Sequence, residues 1–275
     1  MSILFQQAYP ERYFEMGIAE QNMASTAAGL ALVGKVAFIS SFAVFASGRA
    51  YDQLRQTISI ANLNVKICGS SSGLSDFGDG STHQAVEDVA IMRAIPNMTV
   101  LVPVDAVETR KMVKAMASHP GPVYLRINRN DLPVYTSEDS DYQIGKLYTM
   151  KEGRDVVVFA NGVMVSKAME AAKLLEEQGI SVKVVNVSTV KPLDRQAVID
   201  SSHGFRGVVA AEEHSVIGGL GGAIAEALRG VTNQKLEFVG IQDSFGTSAY
   251  NYEELLTHYG LTSEAIVGAV KLVMN

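Results

Sequence analysis

Three short stretches carry residues whose types and spacing suit chemistry. In "MGIAEQNMASTAAGLALVG" (16–34), Glu20 lies in a small and apolar run that reads as a helix entering a core, with no Lys or Arg within four residues on either side. A carboxylate there is costly unless paired, and a basic heterocycle is a suitable partner. The alternative reading is an acid on a solvated helix turn. "DGSTHQ" (79–84) places a loop acid, two hydroxyls and an imidazole, Asp79 to His83, between a strand end and a helix start. Parallel sheets collect their ligands at such places, although a loop histidine capping a helix has the same look. Phe42 and Phe45, at i and i+3, can line one face of a helix, or join an ordinary core.

Two glycine-rich stretches are weaker. "GGLGGA" (218–223) opens a helix after a strand, but its spacing is wrong for a dinucleotide phosphate turn and it reads as helix-start packing. "GDG" (78–80) looks like the start of a thiamine-diphosphate metal motif, yet no Asn follows at the spacing a metal needs, so this chain is expected to hold neither the metal nor the diphosphate.

The elements that must position these residues alternate along the chain. Buried strands are expected at 35–40, 64–69, 98–103 and 121–127, with helices near 42–61, 84–94 and 105–118. The polar, turn-rich stretch around 136–154 reads as a linker between residues 1–135 and 155–275. The alternation then resumes with strands at 155–160, 181–187, 207–213 and 235–241 and helices near 164–178, 219–229, 251–259 and 263–273. The fold class is therefore α/β, with two parallel-sheet domains.

Composition narrows the function. The chain has 275 residues, 47% apolar and 19% charged, enough for two cores. A formal charge of -6 without any Lys/Arg-rich block argues against nucleic acid or a membrane surface. One cysteine, Cys68, makes no internal disulfide, and five scattered histidines include no pair at metal-ligand spacing. No run is long and apolar enough to span a bilayer, and the N-terminus has no export pattern, so a reducing cytoplasm is expected.

Taken in order, "ERYFEMGIAEQNMASTAAGLA" (11–31), "SFAVF" (41–45), "RAYDQ" (49–53), "DGSTHQ" and "MRAIPNMTVLVP" (92–103) resemble the C-terminal half of transketolase. More narrowly, they resemble the C-terminal subunit of a split transketolase whose N-terminal half is a separate polypeptide. The resemblance covers nearly the whole chain, because residues 155–275 also read like that enzyme's C-terminal domain. Each motif is moderately specific, and five in order are strong.

The resemblance implies a thiamine-diphosphate pyrimidine-binding fold followed by a Rossmann-like transketolase C-terminal domain. It implies that Glu20 hydrogen-bonds N1′ of the cofactor's aminopyrimidine and holds its imino tautomer, while Phe42 and Phe45 wall the ring. Asp79 and His83 fall on positions that hydrogen-bond substrate hydroxyls and carbonyl, where charge develops and protons must move. Arg126 falls on an anion-clamping arginine. The implied reaction moves a two-carbon ketol unit from a ketose phosphate to an aldose phosphate, as in pentose phosphate metabolism. The implied partner is an N-terminal subunit holding the diphosphate and Mg, in a dimer of such pairs. The beta component of a 2-oxo-acid dehydrogenase, deoxyxylulose-phosphate synthase and a non-catalytic remnant of the fold are the rivals. "DGSTHQ" favours sugar transfer over the first, the lack of a fused diphosphate-binding half disfavours the second, and the presence of Glu20, Phe45 and His83 speaks against the third.

Two departures stand out. Ser71 stands where relatives commonly carry a histidine that contacts substrate phosphate, which puts the substrate's anionic tail in question and admits a sulfonated sugar. The chain also starts a few residues ahead of "YPERYF", without the strand and helix expected there, so the first sheet is expected to expose a pairing edge.

Overall fold

Runs of β-branched and aromatic residues bounded by turns form ten strands in the computed structural model, which describes residues 2–275. In the first half these are β1 (Ala37–Phe42), β2 (Val65–Ser70), β3 (Thr99–Leu101) and β4 (Val123–Arg126). In the second they are β5 (Tyr148–Lys151), β6 (Val156–Ala160), β7 (Val182–Asn186), β8 (Thr189–Lys191), β9 (Gly207–Ser215) and β10 (Lys235–Ile241). They assemble into two five-stranded sheets, ordered β1-β2-β4-β3-β8 and β10-β9-β6-β7-β5.

All neighbours within each sheet run parallel except β8 on β3 and β5 on β7, which are antiparallel edge strands. A parallel sheet is covered on both faces, so its central strands read as unbroken apolar runs. The second sheet shows this: Val156, Val158 and Ala160 of β6 enter one core and Val157 and Phe159 the opposite one. The helices Met164–Glu176 and Ser263–Met274 pack in the first of these cores, and Leu220–Leu228 in the other.

Three features differ from the sequence pattern. Residues 148–151, inside the expected linker, become β5, because one exposed edge of the second sheet accepts any extended segment laid beside it. The short β8 leaves the second half of the chain and pairs with β3 in the first sheet, tying the two layers together. The helix expected over 42–61 is broken, with π-helical turns at Phe45–Arg49 and Leu54–Ser59 around the short α-helix Tyr51–Gln53.

Lys66 sits fully buried within β2, and burial pushes its ammonium group down to about 8. It is accommodated because its Nζ donates to the carbonyls of His119 at 2.6 Å and Gly121 at 2.7 Å, in the turn that precedes β4. β1 has a strand neighbour on one side only, and no helix among the described residues is long and apolar enough to cross a membrane.

The double-sided packing predicts a large penalty for hollowing the second sheet. Phe159→Ala, at a fully buried ring in β6, is expected to cost about 3–5 kcal/mol, measured as a fall in the urea midpoint with the slope unchanged.

Candidate active site

The β1 end, the turn after it and the loop between β2 and the helix Asp88–Ala94 converge. Glu20 is the first residue of the helix Glu20–Leu32, where a carboxylate complements the positive end of the helix. The inward face of that helix is small, with Ala24, Ala27 and Ala28 buried, which lets it lie close on the sheet. Glu20 is 6% exposed. Its partner comes from 29 positions further along: Arg49 Nη1 donates to Glu20 Oε2 at 3.1 Å, and Ser41 Oγ donates weakly to Oε1 at 3.4 Å. Burial raises the carboxyl's pKa, but its own helix-end N–H, Arg49 and Ser41 outweigh that and hold it below the usual carboxylate range. Glu20 is therefore ionised.

Phe42 ends β1 and Phe45 begins the π-helical turn, so the pair spans a strand-to-helix turn instead of one helical face. The turn still brings the rings nearly parallel, 9° apart at a centroid distance of 6.1 Å. His83 meets both edge-on, 5.9 Å from Phe42 and 5.3 Å from Phe45. Arg49 lies on the same assembly, its guanidinium carbon 4.5 Å from the Phe45 centroid, a cation–π contact. Glu20, Arg49, Phe45, His83 and Phe42 thus form one continuous cluster drawn from three separate segments. Arg49 belongs to the "RAYDQ" motif, but local spacing could not reveal its role because its partner is remote. The wider π turn is a known companion of functional sites.

His83 is half-buried and ends the short turn Gly80–Thr82, with its Nδ1 2.9 Å from Thr82 Oγ1. Asp79 precedes that turn, is exposed and makes no capping bond, so its carboxylate is left open to solvent. Ser71 is buried and adopts a left-handed φ of 52°.

Arg126 is not brought to this cluster. It is 4% exposed, and its donors are committed to protein: Nε to both Asp88 oxygens at 3.0 Å, and Nη2 to the carbonyls of Glu213 at 2.8 Å and Ala85 at 3.2 Å. Burial lowers its pKa, while Asp88 and Glu213 outweigh that and raise it, so the cation is locked in. A substrate anion cannot replace such partners without stranding two buried carboxylates. Three residues on, Arg129 is the accessible cation, half-exposed and tethered to Asp76 at 2.8 Å in the same loop. β4 is buried throughout, and the two arginines differ only in the partners that the fold brings to them, so the sequence alone did not separate them.

Residues 1–134 match the transketolase pyrimidine binding domain and residues 145–266 the transketolase C-terminal domain. A protein of Methanocaldococcus jannaschii named as a transketolase C-terminal section is 44% identical over 266 residues, covering 96% of this chain and 83% of that one. A 6-deoxy-6-sulfo-D-fructose transketolase subunit of Clostridium sp. (strain MSTE9) is 44% identical over 265 residues, covering 96% of this chain and 82% of that one. A solved structure titled as a split gene transketolase, inactive beta4 tetramer, matches with a TM-score of 0.91 at 46% identity, covering 98% of this chain and 86% of that one.

The commitment of Arg126 predicts a stability defect. Arg126→Ala is expected to cost about 3–5 kcal/mol, the range for removing one partner of a buried ion pair, read from the urea midpoint. An unchanged midpoint with only a raised substrate KM would return Arg126 to the substrate.

Proposed function

This chain belongs to the transketolase family, and from that premise we propose that it is the C-terminal subunit of a split, thiamine-diphosphate-dependent enzyme that transfers a two-carbon ketol unit from a ketose to an aldose. The observation that carries this reading is the convergence of Glu20, Phe42, Phe45 and His83 from distant segments. Arg49 provides a test of fit for the cofactor's pyrimidine end. Its planar, cationic guanidinium donates to Glu20 and lies over Phe45, the two contacts a protonated aminopyrimidine ring needs, so the residues suit that group.

When bound, thiamine diphosphate supplies the nucleophilic carbon and the electron sink that breaking a ketose C–C bond requires. Glu20, kept ionised, accepts a hydrogen bond from the pyrimidine ring nitrogen and keeps a proton on it. Phe42 and Phe45 wall the ring and exclude water from it. His83 and Asp79 hydrogen-bond the sugar, with His83 holding or moving a proton at the carbonyl oxygen and the adjacent hydroxyl.

We assign the diphosphate and its divalent metal to an N-terminal partner subunit, because the "GDG" here has no Asn at the needed spacing. The large apolar side chains left open beside the site support such a partner. Phe14 is 61% and Ile18 91% exposed just ahead of Glu20, and Phe245 is 77% and Tyr250 95% exposed near the loop of His83. For the substrate's anionic tail we assign Arg129. Phosphate and sulfonate are both tetrahedral anions that its fork can bind, and a sulfonated sugar is the substrate named for one close relative.

The chain alone is expected to show no ketol transfer, and mixing it with the partner, thiamine diphosphate and Mg should restore transfer. In the restored complex Glu20→Gln should lower turnover by roughly 10²–10⁴-fold, and near-normal turnover at saturating cofactor would remove Glu20 from the mechanism. Arg129→Ala should raise KM by roughly 10-fold or more for phosphorylated or sulfonated ketoses while sparing uncharged ones. Equal KM across that panel would eliminate the contact.

A further inference from the structure

We propose that the C-terminal domain is the clamp that sets His83 against the Phe42–Phe45 pair, with Gln84 as the positioning residue through which it acts. This rests on the reading above, in which His83 handles the sugar.

His83 rides on a loop that leaves β2 and closes on itself, Gly73 and Ala85 exchanging backbone hydrogen bonds of 3.0 and 3.1 Å. Within that closure the C-terminal domain grips the loop repeatedly. Leu74 N donates to Glu213 Oε1 at 2.8 Å. Ala249 N donates to the Phe77 carbonyl at 2.9 Å, and just past the closure Ser215 N donates to the Val86 carbonyl at 2.7 Å. Gln84, 3% exposed, completes the grip, because its Nε2 donates at 3.0 Å both to the Asp76 carbonyl within the loop and to the Thr247 carbonyl across the interface. His83 and Gln84 are adjacent in sequence and reach opposite ways. The imidazole touches the aromatic pair of the first domain, and the amide touches the second.

The interface leaves no slack. A Cβ on Gly246 would lie 1.7 Å from Gln84 Oε1, and one on Gly80 would lie 2.5 Å from Ser248 Oγ. Gln84 Oε1 is moreover buried without a hydrogen-bond partner among the described residues, an arrangement that costs stability and calls for an explanation. A side chain chosen only to fill this interface would be apolar. The amide is explained if its two donated bonds fix the loop, because they lock the residue beside His83 to both the loop and the second domain.

The test uses the enzyme reassembled with its N-terminal partner, thiamine diphosphate and Mg, and a ketose phosphate as donor. Gln84→Ala is expected to lower kcat by about 10²-fold, the scale of a misplaced reacting group, with exchange of the cofactor's C2 proton unchanged because that depends on Glu20. In a His83→Ala background the same substitution should lose most of its effect. Gly246→Ala, which displaces the amide from the other side, should behave like Gln84→Ala. Losses that add fully to those of His83→Ala, or kcat unaffected by both substitutions, overturn the clamp. A His83→Ala variant with normal kcat defeats the reading of His83 instead. In that case deuterium exchange of amides 74–85 in the unmixed chain decides the clamp: faster exchange in Gln84→Ala and Gly246→Ala upholds it, and unchanged exchange overturns it.

Discussion

A buried guanidinium must be neutralised where it stands, and the arrangement around Arg126 follows from that constraint. Asp88, at the start of its helix, and Glu213, near the end of β9, flank it from different domains. Sliding one sheet past the other would strand the buried Glu213 carboxylate and leave Arg126 with Asp88 alone. The remaining acceptor capacity is also filled, Tyr124 donating to Asp88 at 2.7 Å and Leu74 N to Glu213 at 2.8 Å. Burial holds the Tyr124 hydroxyl's pKa well above its ordinary value, so it stays a neutral donor. The pair of domains therefore behaves as one body at the carboxyl ends of the strands, where parallel sheets place their chemistry.

That rigidity lets the cluster around Glu20 work with opposite charges at different depths. Glu20 is nearly buried while the Arg49 side chain is 47% exposed, so the pair is half solvated and its attraction is screened. A partner held this loosely is replaceable, unlike Arg126. Arg126 and Arg49 thus illustrate two uses of the same side chain, one fixing structure by full desolvation and one leaving a carboxylate able to change partners.

Much of this was legible in the sequence wherever a regular period carried the information. The strands 37–42, 65–70, 156–160 and 235–241 lie within a residue or two of the runs that announced them; the central strand 156–160 is apolar throughout because both its faces are buried, while the edge strands 37–42 and 235–241 carry exposed positions. Glu20, Phe45 and His83 were legible as motif residues. What was not legible was pairing across distance. Nothing local ties Glu20 to Arg49, Arg126 to Glu213 or Gln84 to Thr247, since each contact depends on how two sheets are set against each other. β5 and β8 were missed for a related reason. They are short edge strands whose extended form comes from a neighbour's unpaired hydrogen-bonding groups and not from their own composition.

Backbone irregularity adds an independent argument about where the molecule tolerates cost. Among the described residues, four non-glycine residues have positive φ: Asn62, Ser71, Asn97 and Asp243. Asn and Asp adopt that conformation with modest penalty, whereas Ser has no such advantage. Ser71 is also buried, directly after β2, at the start of the loop that carries Asp79 and His83. It is held there because Ser72 N donates to the Ile127 carbonyl at 3.1 Å, in the continuation of β4, and Gly73 then pairs with Ala85. A strained residue persists only where its surroundings over-determine it. The same loop contains the unpartnered Gln84 oxygen, and the facing turn is π-helical. Ser71, the Gln84 oxygen and the Phe45–Arg49 π turn thus lie on the two segments whose side chains meet at Phe45 and His83. The regular sheets beneath them are rigid enough to hold those segments in conformations that neither would adopt alone.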